Sequence, residues 1–376
     1  MSSEGNIIGR FLKKLNKEKG GPADYTILLI TLMLVLFGIV MVFSSSYYYA
    51  MQHPKIDNMF HFVRNQAMYA GVGMCGLLFT LNFPYKYYKK FTFLAYAGTN
   101  FLLLLVLIVA EATKGSKRWI FGFQPSEIAK IAVILFLAFY ISSHKDSLKD
   151  IKGFIRCLII LVVPVILIGA ANMSTAIIVF GVGIAMLFVA SKRIWYFVVG
   201  GGIAGVLGCA ALFLPQFAYR LDRIKAWVDP FSDPTDLGYQ IVQSLYAIAS
   251  GGLFGLGLGQ SRQKTFIPEP YNDFIFSIIC EELGFVGAAV VILLFALLVW
   301  RGVRVAMKAK DTFGCLVATG ITALIAIQVI VNISVATNTI PNTGIALPFI
   351  SYGGTSLAIL MTSVGILMNI SRYNKD

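Results

Sequence analysis

Long apolar runs alternate along the chain with short polar and basic segments. They fall at roughly 25–45, 65–83, 91–110, 125–142, 154–170, 174–190, 194–214, 272–300, 312–334 and 353–370. A helix needs about 20 predominantly apolar residues to cross a bilayer core. The pattern therefore predicts an all-α membrane protein with about ten transmembrane helices in one bundle. The first run is too long for a signal-peptide core, and Ser44-Ser45-Ser46 is a poor cleavage site, so it reads as an uncleaved span. The last two runs are separated by a turn-rich segment containing Pro341, Gly344 and Pro348, and the last follows Gly353-Gly354.

Charge orients this bundle. With the N-terminus inside, the inner segments hold 20 of the 31 Lys and Arg residues, including Arg10, Lys13, Lys14, Lys17 and Lys19 before the first span and Arg301, Arg304, Lys308 and Lys310 after the eighth. Every inner segment is basic, whereas two outer loops carry no Lys or Arg. Because such residues collect in cytoplasmic loops, both termini are expected in the cytoplasm. The chain then divides into a tail, 1–24, a single transmembrane domain, 25–371, and a second tail, 372–376. A large outer loop, 215–272, lies between spans seven and eight.

Composition agrees. The 376 residues are 57% hydrophobic and 13% charged, with a mean hydropathy of +0.77, against about 25% charged in soluble domains. A net charge of +13 in a soluble protein would suggest nucleic acid, but here it concentrates on the inner face, and no nucleic-acid partner is expected. Cys75, Cys157, Cys209, Cys280 and Cys315 all lie in apolar runs without CxxC spacing and read as small buried hydrophobes. His53, His61 and His144 are scattered and form no zinc pattern.

The outer loop is not uniformly polar. From Tyr239, Ile241, Leu245 and Ile248 fall on one helical face, which suits an interfacial or re-entrant helix. Gly251, Gly252, Gly255, Gly257 and Gly259 follow and imply tight turning. They lack the preceding strand and the GK[ST] of a nucleotide loop.

Ionisable residues in or beside spans are candidates for function. Glu127 and Lys130 are three apart and share a face of the fourth span, either as an internal ion pair or as a polar cavity lining. Glu281 and Glu282 point about 100° apart on the eighth helix; one is expected to take a partner such as Lys130, and a proton relay is the alternative. Asp273 opens the eighth span as an N-cap or first-turn acid, or as a general base kept ionised there. Lys117 and Arg118 beside Trp119, Arg220 with Arg223, and Arg262 with Lys264 cluster cations on outer loops. They form either a solvated face or a site for a lipid phosphate or pyrophosphate.

Together these segments resemble the SEDS family, which includes FtsW, RodA and SpoVE, over most of the chain. The resemblance rests on Lys117-Arg-Trp-Ile, Gln124-Pro-Ser-Glu127-Ile-Ala-Lys130, Asn172-Met-Ser-Thr-Ala176, Arg220-Leu-Asp-Arg223 and the run from Gly251 to Lys264. It continues with Pro268-Glu-Pro, Asp273-Phe-Ile-Phe, Glu281-Glu-Leu-Gly284 and Pro348-Phe-Ile-Ser-Tyr-Gly-Gly-Thr-Ser356. Gln-Ser-Arg-Gln-Lys looks more like FtsW and SpoVE than RodA.

The resemblance implies an inverting glycosyltransferase of the bacterial cytoplasmic membrane. Such enzymes polymerise lipid II, an undecaprenyl-pyrophosphate-linked disaccharide peptide, at the outer face, for cell division or for spore-cortex and cell-wall synthesis. They work beside a class B penicillin-binding protein that cross-links the product. It assigns Asp273 as the general base and Lys117, Arg118, Trp119, Arg220, Arg223 and Lys264 to substrate and pyrophosphate. Glu127, Lys130, Glu281 and Glu282 are then mainly structural. A divalent cation, Mg or Mn, is left open, with no metal cage visible. Asn172-Met-Ser stands where Asp-Leu-Gly is usual, and Thr265 and Thr343 stand where some division members carry Glu and Lys, so acid or lysine roles there are not carried over. A lipid II flippase or a non-catalytic scaffold remains the alternative.

Overall fold

The computed structural model describes residues 21–52, 58–109, 124–144, 148, 150–202, 224–232, 234 and 238–374. The described chain is helical: α1 (Tyr25–Gln52), α2 (His61–Asn82), a 3-10 turn (Tyr85–Tyr87), α3 (Tyr88–Val109), α4 (Pro125–Ser143), α5 (Ile151–Ala171) and α6 (Met173–Ala190), then α7 (Tyr239–Ser250), a 3-10 turn (Gln263–Thr265), α8 (Ile275–Lys308), α9 (Thr312–Ala336) and α10 (Gly354–Ser371). Eight helical segments have both the length and the hydropathy of a membrane span, the first 3-10 turn counting with α3. The exception among the long helices is α2, whose 22 residues begin with His61, Arg64, Asn65 and Gln66. Of the seventh expected span, 194–214, the chain is helical at 195–202, and the remainder lies outside the described residues.

Small residues set the helix packing. A side chain on Gly365 of α10 would collide with Thr80 and the Leu77 carbonyl of α2, so the two helices approach at backbone distance, as small residues permit in membranes. Thr80 donates to the Thr362 carbonyl across this contact (2.9 Å). Cysteines follow the bundle rather than a rule of burial. Cys157 and Cys280 are buried, but Cys75 lies exposed on α2, because an apolar run in a bilayer can face lipid as well as protein. Cys209 lies outside the described residues.

One end of the bundle is fastened by charge. Arg301 grips Asp24 through Nε (2.8 Å) and a guanidinium nitrogen (2.5 Å). Asp311, the N-cap of α9, accepts from the Gly314 N–H (2.9 Å), the Tyr85 hydroxyl (2.9 Å) and Lys89 (3.3 Å). Burial pushes this carboxyl's pKa up, but the Gly314 and Tyr85 hydrogen bonds and the Lys89 charge outweigh it, and it titrates below its ordinary value of 3.8.

The opposite half of the bundle is organised by a break. α8 is interrupted at Gly284, whose φ of 66° and ψ of −167° leave the helical region. In a bilayer the freed backbone groups have no water to bond. The glycine-rich segment after α7 supplies partners on both sides of the break. Leu256 and Gly257 N–H donate to the Glu281 and Glu282 carbonyls (2.9 Å each), while Phe285 and Val286 N–H donate to Gly252 and Leu253 (2.9 and 3.1 Å). Gly255 lies at φ 80° against the Glu282 carbonyl, with no room for a Cβ.

The segment after α7 thus folds back tightly against α8, the close turning that its glycines imply. The buried face of α7 runs through Ile241, Val242, Ser244 and Ala247, while Leu245 and Ile248 are half-buried at its flank. Polar pinning shifts the face: Ser244 Oγ donates to the Ala336 carbonyl (2.7 Å) and meets Ser277 Oγ (2.5 Å).

Two outcomes are expected. Gly255→Ala should cost roughly 1–3 kcal/mol of strain and lower the melting temperature of the detergent-purified protein, whereas Gly71→Ala, with open space around it, should not. Asp311→Asn should be less thermostable than wild type near neutral pH. Because the folded pKa is depressed, that gap should close as pH falls below about 3.8, which a pH series of melting curves checks.

Candidate active site

Asp273 lies two residues before α8, and Phe274 holds the N-cap position. The first turn of α8 contains no acid. The N-cap and first-turn positions expected of Asp273 therefore fall elsewhere, because the helix begins at Ile275, one residue later than an N-cap at Asp273 requires. The preceding Pro268-Glu269-Pro270 makes a tight turn with Glu269 at φ 51°, and Asn272 closes it through its N–H to the Glu269 carbonyl (3.0 Å) and its side chain to Glu269 Oε2 (2.9 Å).

Three successive carbonyls are then held by three donors from the far side of the bundle. The Tyr271 carbonyl accepts from Tyr352 N–H (2.9 Å), that of Asn272 from Ser351 Oγ (2.8 Å) and that of Asp273 from Asn332 Nδ2 (2.7 Å). Asn332 is fully buried on α9, and its amide also donates to the Ile345 carbonyl (2.7 Å). One side chain so ties the Asp273 backbone to the α9–α10 connection. Tyr271 packs among Phe62, Tyr49 and Tyr352 at ring distances of 4.4, 5.4 and 5.7 Å. Burial, followed by the Glu269 charge, pushes its phenol pKa up, so it stays protonated.

Asp273 is half-buried at the end of the bundle where α8 begins. Gly344 lies beside it at φ 63°, and a methyl group there would stand 3.2 Å from Asp273 Oδ2. The glycine keeps that flank of the carboxylate clear. Asn342 holds the turn through Gly344 N–H (3.2 Å) and reaches Gln240 Oε1 on α7 (3.0 Å).

Roughly two turns deeper, Glu281 and Glu282 are fully buried, and neither pairs with Lys130. Glu281 accepts from Ser261 Oγ, the Arg262 N–H (3.0 Å), the Gln263 N–H (3.3 Å) and Ser250 Oγ (3.3 Å), capping the 3-10 turn. Glu282 takes Ser44 Oγ (2.6 Å) and Lys264 Nζ (3.5 Å). The expectation of Lys130 as a partner is corrected: Lys130 pairs with Glu127 at 2.8 Å, the internal ion pair. Lys264 is corrected too. The segment after α7 carries it inward to Glu282 and to the Gly259 carbonyl (2.6 Å), so it does not stand on the outer face apart from the buried acids.

Lys117, Arg118, Trp119, Arg220 and Arg223 lie outside the described residues. Asn172, in place of an acid, caps α6 by accepting from Thr175 N–H (3.3 Å). No group of three or more His, Cys, Asp or Glu that could hold a metal ion occurs among the described residues.

Sequence reasoning passed over Asn332, Ser351 and Gly344 as site residues. Asn332 carried a readable signal, since an amide inside an apolar span must find partners; which partners depended on the fold. Asn332→Leu removes two donors at once, at about 1–3 kcal/mol for each carbonyl left unpaired. It should speed amide exchange across residues 271–278 while leaving 288–300 unchanged, as hydrogen-exchange mass spectrometry would show.

A family model described as cell cycle protein, FtsW/RodA/SpoVE, matches residues 25–376. The chain is 44% identical to stage V sporulation protein E of Bacillus subtilis (strain 168) over 96% of its own length and 100% of the relative's. It is 42% identical to a probable peptidoglycan glycosyltransferase FtsW of Geobacter sp. (strain M18), covering 93% and 96% of the two chains. The fold is similar to a chain in a solved peptidoglycan synthase complex that coordinates polymerization and crosslinking (TM-score 0.77, 23% identity, 93% and 98% covered). It is also similar to rod shape determining protein RodA of Thermus thermophilus (TM-score 0.69, 22% identity, 94% and 98% covered). The chain belongs to the FtsW/RodA/SpoVE family of multi-pass proteins of the cytoplasmic membrane.

Proposed function

We propose that the protein is a peptidoglycan glycosyltransferase that polymerises lipid II at the outer face of the cytoplasmic membrane, with Asp273 as its general base. The observation that carries this reading is the mounting of Asp273. Its backbone is immobilised through three adjacent carbonyls, yet its carboxylate stays half-exposed beside a glycine. A structural acid needs no such open flank, whereas a base must reach the proton it removes.

In the proposed step, the 4-hydroxyl of the acceptor's terminal GlcNAc attacks the anomeric carbon of the donor glycan. Asp273 takes the hydroxyl proton as the new C–O bond forms. The anomeric carbon–oxygen bond breaks with inversion, and both its electrons leave on undecaprenyl pyrophosphate. Arg118, Arg220 and Arg223 are assigned to the charge that develops on the leaving group. Lys264 is reassigned to neutralising Glu282. With the basic inner segments and both termini in the cytoplasm, Asp273 faces the leaflet where lipid-linked sugar is met, and a class B penicillin-binding protein cross-links the product.

Local pairing of the buried charges supports polymerisation over transport. Glu281, Glu282, Glu127 and Lys130 are each engaged by neighbours in the bundle, which leaves no free intramembrane carboxylate among these four for a relay.

Asp273→Asn should reduce glycan-strand formation from purified lipid II by at least about 10²-fold, within the usual range for a general base, while melting temperature and partner binding are retained. Undiminished strand formation would remove the assignment. Arg118→Ala, Arg220→Ala and Arg223→Ala should each raise KM for lipid II, more so at higher salt. Unchanged kinetics in all three would remove the pyrophosphate clamp.

A further inference from the structure

At the end of α8 opposite Asp273, three chain segments enclose a cavity of about 310 Å³, at the lower end of ligand-pocket volumes of about 300–1,000 Å³. Its walls are that end of α8, the end of α10 and the strap Pro22–Asp24 that leads into α1. Arg301, Arg304 and Lys308 line it from α8, spaced by three and four residues and so on one face. Of these three cations Asp24 pairs with Arg301. Arg304 and Lys308 have no carboxylate partner among the described residues and are exposed.

A tryptophan adjoins the Arg304 wall of the cavity. Trp300 is half-exposed, and the Arg304 guanidinium lies over its ring at 4.6 Å; tryptophan favours the membrane–water interface. On the adjoining face Val303 and Met307 are exposed, Met307 to 79%. On the opposite wall Asn374 presents a buried side-chain oxygen with no hydrogen-bond partner. A ligand that fits must therefore bring an anion to Arg304 and Lys308 and a hydrogen-bond donor to Asn374. The residues that precede the strap are poorly suited to fill it, since 1–20 carry Arg10, Lys13, Lys14, Lys17 and Lys19 against Glu4 and Glu18.

We propose that this cavity is a binding site for one anionic phospholipid of the inner leaflet whose headgroup carries a hydroxyl, of the phosphatidylglycerol type. The phosphodiester lies between Arg304 and Lys308, the headgroup hydroxyl donates to Asn374 Oδ1, and the acyl chains run along Val303 and Met307. Juxtamembrane cations and basic pockets between helices recognise anionic headgroups in this way. The lipid would clasp the α1 strap to α8 and α10 beside the Asp24–Arg301 pair. The inner-leaflet assignment rests on the orientation given above; binding itself does not, and it is independent of the glycosyltransferase reading.

The test is native mass spectrometry of the full chain after detergent exchange, with phosphatidylglycerol or phosphatidylcholine added, on wild type and two doubly substituted proteins of equal charge change. Wild type should retain one phosphatidylglycerol, with phosphatidylcholine at least about tenfold lower. Arg304→Gln with Lys308→Gln should lose at least about tenfold in occupancy, while Lys192→Gln with Arg193→Gln, on another inner segment, should keep it. Retention in the first double variant, or equal loss in both, would overturn the site. A thermal shift by inorganic phosphate matching that by the lipid would overturn the lipid as its occupant. Asn374→Leu should lower phosphatidylglycerol occupancy without altering that of phosphatidic acid, whose headgroup lacks the glycerol hydroxyls; equal effects on both would remove the role given to Asn374.

Discussion

A helix broken inside a bilayer must find new partners for its backbone or it will not form, and one half of this molecule is arranged around that requirement at Gly284. The break frees carbonyls at Glu281 and Glu282 and N–H groups at Phe285 and Val286, and the glycine-rich segment Gly252–Gly257 answers all four. That pairing demands a glycine at Gly255, where the Glu282 carbonyl occupies the space of a side chain. It also brings Ser261, Arg262 and Gln263 to the Glu281 carboxylate and Lys264 to Glu282. Two buried acids, costly in apolar surroundings, thereby become the anchors of the loop.

The site above the break inherits this rigidity. The peptide carrying Asp273 joins the upper part of α8 and is clamped from α9 and the α9–α10 connection. α7 reaches the same connection through Gln240 and is pinned to α8 and α9 through Ser244. The glycine-rich segment, the loop bearing Asp273 and the α9–α10 connection therefore form one polar scaffold within an apolar bundle. Such a scaffold suits a base whose reach must be set to within a fraction of an ångström. At the other end of α8, Arg301 ties that helix to the strap before α1 by a different means, a charge pair with Asp24.

Much was legible in the sequence for physical reasons that act locally. Apolar runs of span length dictate membrane helices because an unpaired backbone cannot sit in lipid, and basic inner segments orient them. The amphipathic run from Tyr239 and the glycines after it announced a helix followed by tight turning, and Glu127 and Lys130, three residues apart, met as a single turn of helix requires. Asp273 was marked by its place between a proline-rich turn and an apolar run, and by the motif around it.

Tertiary structure alone decided which residues from distant segments share a site. The partners of Glu281 and Glu282 are 18 to 31 residues upstream and, for Ser44, on the first helix. No periodicity connects them, so the sequence pointed to Lys130, another charge within a span, and not to Lys264. Asn332 reaches Asp273 across 59 residues and Ser351 reaches Asn272 across 79. The sequence determined that this chain crosses the membrane many times and marked Asp273 at the entry to α8. Its fold decided how that acid is held, because hydrogen bonds to buried backbone are satisfied by whichever donor the packing brings within reach, and packing is a property of the whole bundle.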